Sequence, residues 1–137
     1  MATKDEINAF IAAEMPQARI TVRDVGNRGA VVVREVGDTD LRPGDTVSGP
    51  VLFTVADVAL YVAIFGEIGI VPLAVTTSLT INFLRKPAAG RPIVGVCRLM
   101  KLGRALAVGE VSLYSEGQDE PVAHAVGTYS IPPGERA

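Results

Sequence analysis

The sequence predicts an α+β fold in which an antiparallel sheet of about six strands wraps around one central helix. Three observations predict it. Residues Pro50 to Phe65 form the longest apolar run in the chain, and the run has no polar face. Four later segments are long, rich in Val, Thr, Ile and Tyr, and separated by short turn signals. Two earlier β-branched runs flank Gly26-Asn27-Arg28-Gly29, which is the turn chemistry of a hairpin.

Thr3 and Glu6 have capping-box spacing, and Ile7, Phe10, Ile11 and Met15 share one helical face before Pro16 stops the pattern. A short amphipathic helix follows from this. Ala18 to Val25 and Ala30 to Val36 read as antiparallel strands around the turn. Residues Gly37 to Gly49 are polar, rich in Asp and Gly, and contain Pro43, so they read as a loop leading to the central helix. Pro50 suits the start of that helix, because its missing N–H would be unpaired there and its φ is already helical; Ser48 or Gly49 is then the N-cap. The apolar residues from Leu52 to Phe65 cover every face, which calls for protein all around the helix. Leu73 to Leu84, Ile93 to Leu102, Ala105 to Tyr114 and Val122 to Ile131 read as the strands of a meander.

At 137 residues the chain is a single domain, residues 1–137, long enough to bury its own core. A hydrophobic fraction of 48% calls for either apolar packing between subunits or a membrane segment. Val47 to Val75 could span a bilayer by length, but Asp57 and Glu67 interrupt the stretch, Gly66, Gly69 and Pro72 break it, and no Lys/Arg cluster flanks it. A core helix is the expected role, with no membrane partner. No basic, then apolar, secretory signal opens the sequence, and the single cysteine, Cys97, has no partner for an internal disulfide, so a cytoplasmic location is expected. Thirteen basic and fifteen acidic residues give a net charge of −2, which provides no broad footprint for nucleic acid.

Asp57 is the informative exception inside the apolar run. A carboxylate among apolar neighbours must be paired or hydrogen-bonded, and such positions concentrate at functional sites. The other reactive residue types carry weaker signals. His124, the sole histidine, lies in an alternating strand and is expected to be partly exposed or satisfied in the core. Cys97 reads as a small buried hydrophobe, and no set of residues has the spacing of a metal site.

The run Ser48-Gly-Pro-Val-Leu-Phe-Thr-Val-Ala-Asp57-Val-Ala resembles the His-Gly-Gly-(apolar)-x-x-x-Leu-Ala-Asp-x-Ala signature of the phenylacetate-pathway (PaaI-like) hotdog thioesterases. Leu73 to Gly90, with its Phe-Leu-Arg-Lys-Pro-Ala-Ala-Gly ending, is similar to that family's strand after the helix. Gly103-Arg104 and Pro121 to Tyr129 match as well, so the likeness covers roughly residues 40 to 131.

The resemblance implies a hotdog fold that hydrolyses an acyl-CoA thioester at a site shared between the subunits of a homodimer, commonly paired again into a homotetramer, with no metal and no cofactor. By the same resemblance Asp57 is the nucleophile or general base, the Gly49 amide stabilises the oxyanion, and the Thr76 hydroxyl, supplied by the other subunit, orients water. Ser48 and Pro50 flank the thioester, Arg85 and Arg104 are candidates for the phosphates of coenzyme A, and Phe53, Tyr61, Leu79 and Phe83 are candidate walls of the acyl pocket. Ser48 replaces the signature His, Pro50 replaces its second Gly, and Arg42 stands where relatives often carry Asn or Gln. Pro50 cannot donate an N–H, so an oxyanion contact must come from Gly49 or from the amides further in. These departures keep open a second reading, a non-catalytic acyl-CoA or acyl-ligand binding protein. A hydratase, which generally pairs its acid with a His, ranks lowest.

Overall fold

The computed structural model describes residues 1–134. Helix α1 (Lys4–Glu14) opens the chain, with the capping box between Thr3 and Glu6 formed in both directions. Strands β1 (Ile20–Gly26) and β2 (Gly29–Arg34) form the hairpin. Asn27 and Arg28 both have positive φ, 51° and 62°, which gives the two-residue turn a twist that matches its strands. A two-stranded ribbon, β3 (Leu41–Arg42) and β4 (Thr46–Val47), then leads into helix α2 (Gly49–Ile68). Four long strands follow: β5 (Val75–Phe83), β6 (Ile93–Leu102), β7 (Leu106–Ser115) and β8 (Ala123–Ser130).

The six long strands form one antiparallel sheet in the order β1-β2-β6-β7-β8-β5, and the sheet curls around α2. This is the hotdog fold. The last four strands are not the simple meander expected from their order. Strand β5 crosses to the far edge and pairs with β8, while β6 pairs with β2. The segment from 37 to 49, read as plain loop, also contains a 3-10 turn at Asp38–Asp40 besides the ribbon.

Three glycines on the concave face explain how closely the sheet grips the helix. A Cβ on Gly95 would stand 2.9 Å from Val55 Cγ1, and Cβ atoms on Gly109 and Gly127, which face each other across β7 and β8, would stand 2.6 Å from the two methyls of Leu60. The missing side chains form the groove that Leu60 fills. Helix α2 is long and apolar enough to cross a membrane, but 78% of its apolar window is buried, and its partner is the sheet.

Cover is not complete on every side, contrary to what the apolar run implies. Pro50 and Phe53 are exposed and Thr54 and Asp57 half-buried, forming a stripe at helical spacing. The strip opens beside β5, the uncovered edge of the sheet, where Val75 and Phe83 are exposed.

Gly127→Ala should destabilise the fold by about 1–3 kcal/mol through overpacking against Leu60 and Leu79, measurable as a lower midpoint in chemical denaturation.

Candidate active site

Helix α2 and strands β5 and β8 build the site. Thr76 and Tyr129 are direct cross-strand partners. A β-bulge between Thr76 and Ser78 inserts one extra residue, so that Thr76 faces the helix although Leu79, Ile81 and Phe83, at odd spacing from it, face the helix too. Both hydroxyls converge on one acid: Thr76 Oγ1 donates to Asp57 Oδ1 at 2.5 Å, and the Tyr129 phenol donates to the same oxygen at 2.8 Å while lying 2.9 Å from the Asp57 carbonyl oxygen. Asp57 is thus held by two hydroxyls and, among the described residues, makes no salt link. The Thr76 that reaches Asp57 here belongs to the same chain, because β5 lies beside α2.

The start of α2 supplies the second part. Ser48 is the N-cap, but its side chain makes no capping bond. The Val51 and Leu52 amides both lean on the Ser48 carbonyl, at 3.2 and 3.4 Å, and Pro50 has no amide to offer. Gly49 therefore carries the one unengaged N–H of the first turn among the described residues. That amide sits at the positive end of the helix dipole. Gly49 also lets the Phe83 ring approach, since a Cβ there would lie 3.3 Å from Phe83 Cζ.

In front of this turn lies a cleft of about 640 Å³ lined by Ser48, Gly49, Pro50 and Phe83 on one side and by Arg42, Arg85 and Lys86 at its rim. Arg85 is braced by Glu120 at 3.1 Å and by the Pro121 carbonyl. Asp57 does not line the cleft: it is eight residues along α2 from Gly49, roughly 12 Å at about 1.5 Å of rise per residue.

Arg104 is not brought to this cleft within one chain. It lies in the β6–β7 turn, next to the end of β8, while Arg85 follows the other end of β5, roughly 26 Å of strand away. Of the candidate wall residues, Phe83 lines the cleft, Phe53 is 41% exposed on the open strip, Leu79 is half-buried, and Tyr61 is buried with its phenol donating to the Pro72 carbonyl at 2.8 Å.

His124 is 36% exposed in its side chain and pairs with Glu110 at 3.0 Å on the convex face, so the sheet stands between it and Asp57. Cys97 is buried, and burial pushes its thiol up to about 12, as expected of an inert packing residue. Among the described residues no group of three or more His, Cys, Asp or Glu side chains could hold a metal ion.

The Thioesterase superfamily model matches residues 44–122. A comparison with curated proteins gives no match. Among solved structures, a candidate thioesterase from Silicibacter sp. TM1040 is 42% identical, with a TM-score of 0.88 over 96% of this chain and 92% of that one. The PaaI protein of the Escherichia coli phenylacetic acid degradation operon is 25% identical, with a TM-score of 0.75 over 93% and 97%. A mutant of the phenylacetic acid degradation protein PaaI from Thermus thermophilus is 27% identical, with a TM-score of 0.73 over 90% and 99%. The chain belongs to the thioesterase superfamily, as a PaaI-like hotdog protein.

The support beneath the helix start has no signal in the sequence pattern. Asp40, only 5% exposed, accepts Arg34 Nη2 at 3.0 Å and Arg19 Nη2 at 2.8 Å, and its second oxygen takes the Gly37 amide at 2.8 Å. Its own carbonyl receives the Ser48 amide at 2.9 Å, which ties the cluster to the N-cap of α2. The Arg34 hydrogen bonds, with the Gly37 amide and the two guanidinium charges behind them, outweigh burial and hold the Asp40 carboxyl at about 2, below its ordinary 3.8. A lowered folded value means that the stabilisation is full above 3.8 and disappears as pH falls through about 2. Asp40→Asn should lose about 3 kcal/mol near neutrality, because Arg34 is left buried and uncompensated, and denaturation followed from about pH 4 to 2 should show the wild type losing an advantage that the variant never had.

Proposed function

We propose that the protein hydrolyses an acyl-CoA thioester to a free acid and coenzyme A, with Asp57 as its catalytic carboxylate. The observation that carries this reading is the Asp57 carboxylate itself, fixed by two hydroxyls beside an uncovered apolar strip, in a chain of the thioesterase superfamily.

The reading also calls for two chains. A donor and a carboxylate that serve one carbonyl must each come within about 3 Å of the reacting atoms. Gly49 and Asp57 of one chain are roughly 12 Å apart along α2, so they cannot share a carbonyl. A homodimer joined along the bare β5 edges would lay the two helices antiparallel and bring the Gly49 of one beside the Asp57 of the other. It would also cover Phe53, Val75 and Phe83, which are exposed in the single chain. Assembly of two such dimers into a homotetramer is part of the same proposal, as is a cytoplasmic location, in keeping with the single unpaired Cys97.

In the composite site the thioester oxygen would accept the Gly49 N–H at the helix start as negative charge builds on it. Asp57 either attacks the carbonyl carbon or takes a proton from the water that does. If water attacks, the carbon–sulfur bond breaks, the thiolate leaves with the proton Asp57 took, and the acid is released; if Asp57 attacks, the same bond breaks to leave an acyl–Asp57 anhydride, which water hydrolyses to the acid and the free carboxylate while its proton goes to the thiolate. Arg42, Arg85 and Lys86, at the rim of the cleft, would meet the phosphates of coenzyme A. Arg104 would reach a phosphate only from another chain.

One observation favours the second reading, a binding protein without turnover: Pro50 reduces the free donors of the first turn to the single Gly49 amide. Thiol release from a panel of acyl- and aryl-CoA esters distinguishes the two. Turnover that falls at least about 100-fold in a folded Asp57→Asn variant supports the hydrolase. Saturable binding with no thiol released by the wild type supports the binding protein, and wild-type turnover in the variant removes Asp57 from the chemistry.

A further inference from the structure

We propose that Tyr129 is a positioning residue for Asp57, its phenol joining the Thr76 hydroxyl on Oδ1 so that Oδ2 is left as the oxygen that does the chemistry. The inference rests on the reading of Asp57 as the catalytic carboxylate and adds to it which atom acts and what aims it.

Both donors use the same oxygen. Thr76 Oγ1 lies 2.5 Å and the Tyr129 phenol 2.8 Å from Oδ1, and among the described residues no donor reaches Oδ2. An acceptor that serves two hydroxyls has its lone pairs engaged, while the other carboxylate oxygen keeps all of its own. Asp57 is only half-buried, and it sits on the uncovered strip, so the free oxygen has room to meet a substrate.

Tyr129 is well suited to holding such a geometry. It is 4% exposed, and its ring stacks on that of Tyr61, with centroids 5.9 Å apart and planes 28° from parallel. Tyr61 is itself fixed, by its bond to the Pro72 carbonyl and by the Phe65 ring at 4.2 Å. The phenol also reaches the Asp57 carbonyl oxygen at 2.9 Å, so it references the side chain to the backbone of the same residue. Burial, and after it the adjacent Asp57 charge, push the Tyr129 phenol well above its ordinary value. It therefore stays protonated and donates across the working range of pH.

Thr76 alone could not do this work. One hydroxyl on a carboxylate leaves the group free to rotate about its last bond, whereas two donors from neighbouring strands fix its plane. A misdirected base loses rate without losing affinity for the thioester, because substrate is bound by the cleft and not by Oδ1.

The test is steady-state thiol release by the full-length protein carrying Tyr129→Phe, which keeps the ring and removes only the hydroxyl, beside Asp57→Asn in the same assay. We expect kcat to fall roughly 10-fold or more with KM within about 2-fold of wild type and the oligomer folded. A site-specifically incorporated 3-fluorotyrosine at position 129 restores the hydroxyl and should restore kcat to within about 3-fold. Wild-type kcat in Tyr129→Phe while Asp57→Asn is inactive overturns the positioning role and leaves the hydrolase reading intact. The same holds if the fluorotyrosine protein is as slow as the Phe variant. Full activity in Asp57→Asn fails the hydrolase reading first, and the inference with it.

Discussion

A helix of twenty residues with apolar side chains on every face cannot lie on a surface, and that constraint shapes the rest of this molecule. The six-stranded sheet answers it by curling around α2, closely enough that Gly95, Gly109 and Gly127 give up their side chains to the helix. The enclosure stops at the β5 edge. In the strip left open stand the exposed Phe53 and the half-buried Asp57, so the incomplete wrapping that leaves apolar surface bare also gives the one acid of the helix interior access to a ligand.

What keeps a carboxylate in that position is local and specific. A bulge in β5 turns Thr76 inward opposite Tyr129, and the two hydroxyls supply the partners that Asp57 would otherwise take from water. At the other end of the open strip, the Arg19–Asp40–Arg34 cluster ties the preceding ribbon to the Ser48 amide. One end of α2 offers an amide donor and its middle a carboxylate, each with its own support, and the rise of the helix keeps the two apart within a chain.

The architecture was legible because its signals are local. Capping spacing at Thr3 and Glu6, turn chemistry at residues 26–29 and a two-residue period in the later strands each specify an element from within it. Strand order was not legible: β5 and β6 are neighbours in sequence and lie on opposite sides of β7 and β8, a pairing that depends on where α2 leaves the chain. For the site, Asp57 stood out because its neighbours are apolar. Tyr129 did not, because a tyrosine in a strand is explained by propensity alone, and only register shows that it faces Thr76. Asp40 was hidden among other acids in a polar segment, and its value comes from Arg19 and Arg34, distant in sequence on other elements. Arg85 and Arg104 looked equivalent as cations near strand ends, and the topology sends them to opposite ends of the sheet.

The proposed site needs Gly49 of one chain beside Asp57 of another, and mixed dimers measure that directly. Gly49→Pro removes the amide at the first helical position, where proline suits the backbone and the exposed Phe83 ring need give only a few tenths of an ångström, and Asp57→Asn removes the carboxylate; each protein alone should be inactive in thiol release. Co-expressed and isolated as a heterodimer, they should regain about half of the wild-type rate, because one of the two sites then holds both intact groups. A heterodimer as inactive as its parents would contradict the shared site, since a site built from a single chain has no intact copy in that pairing.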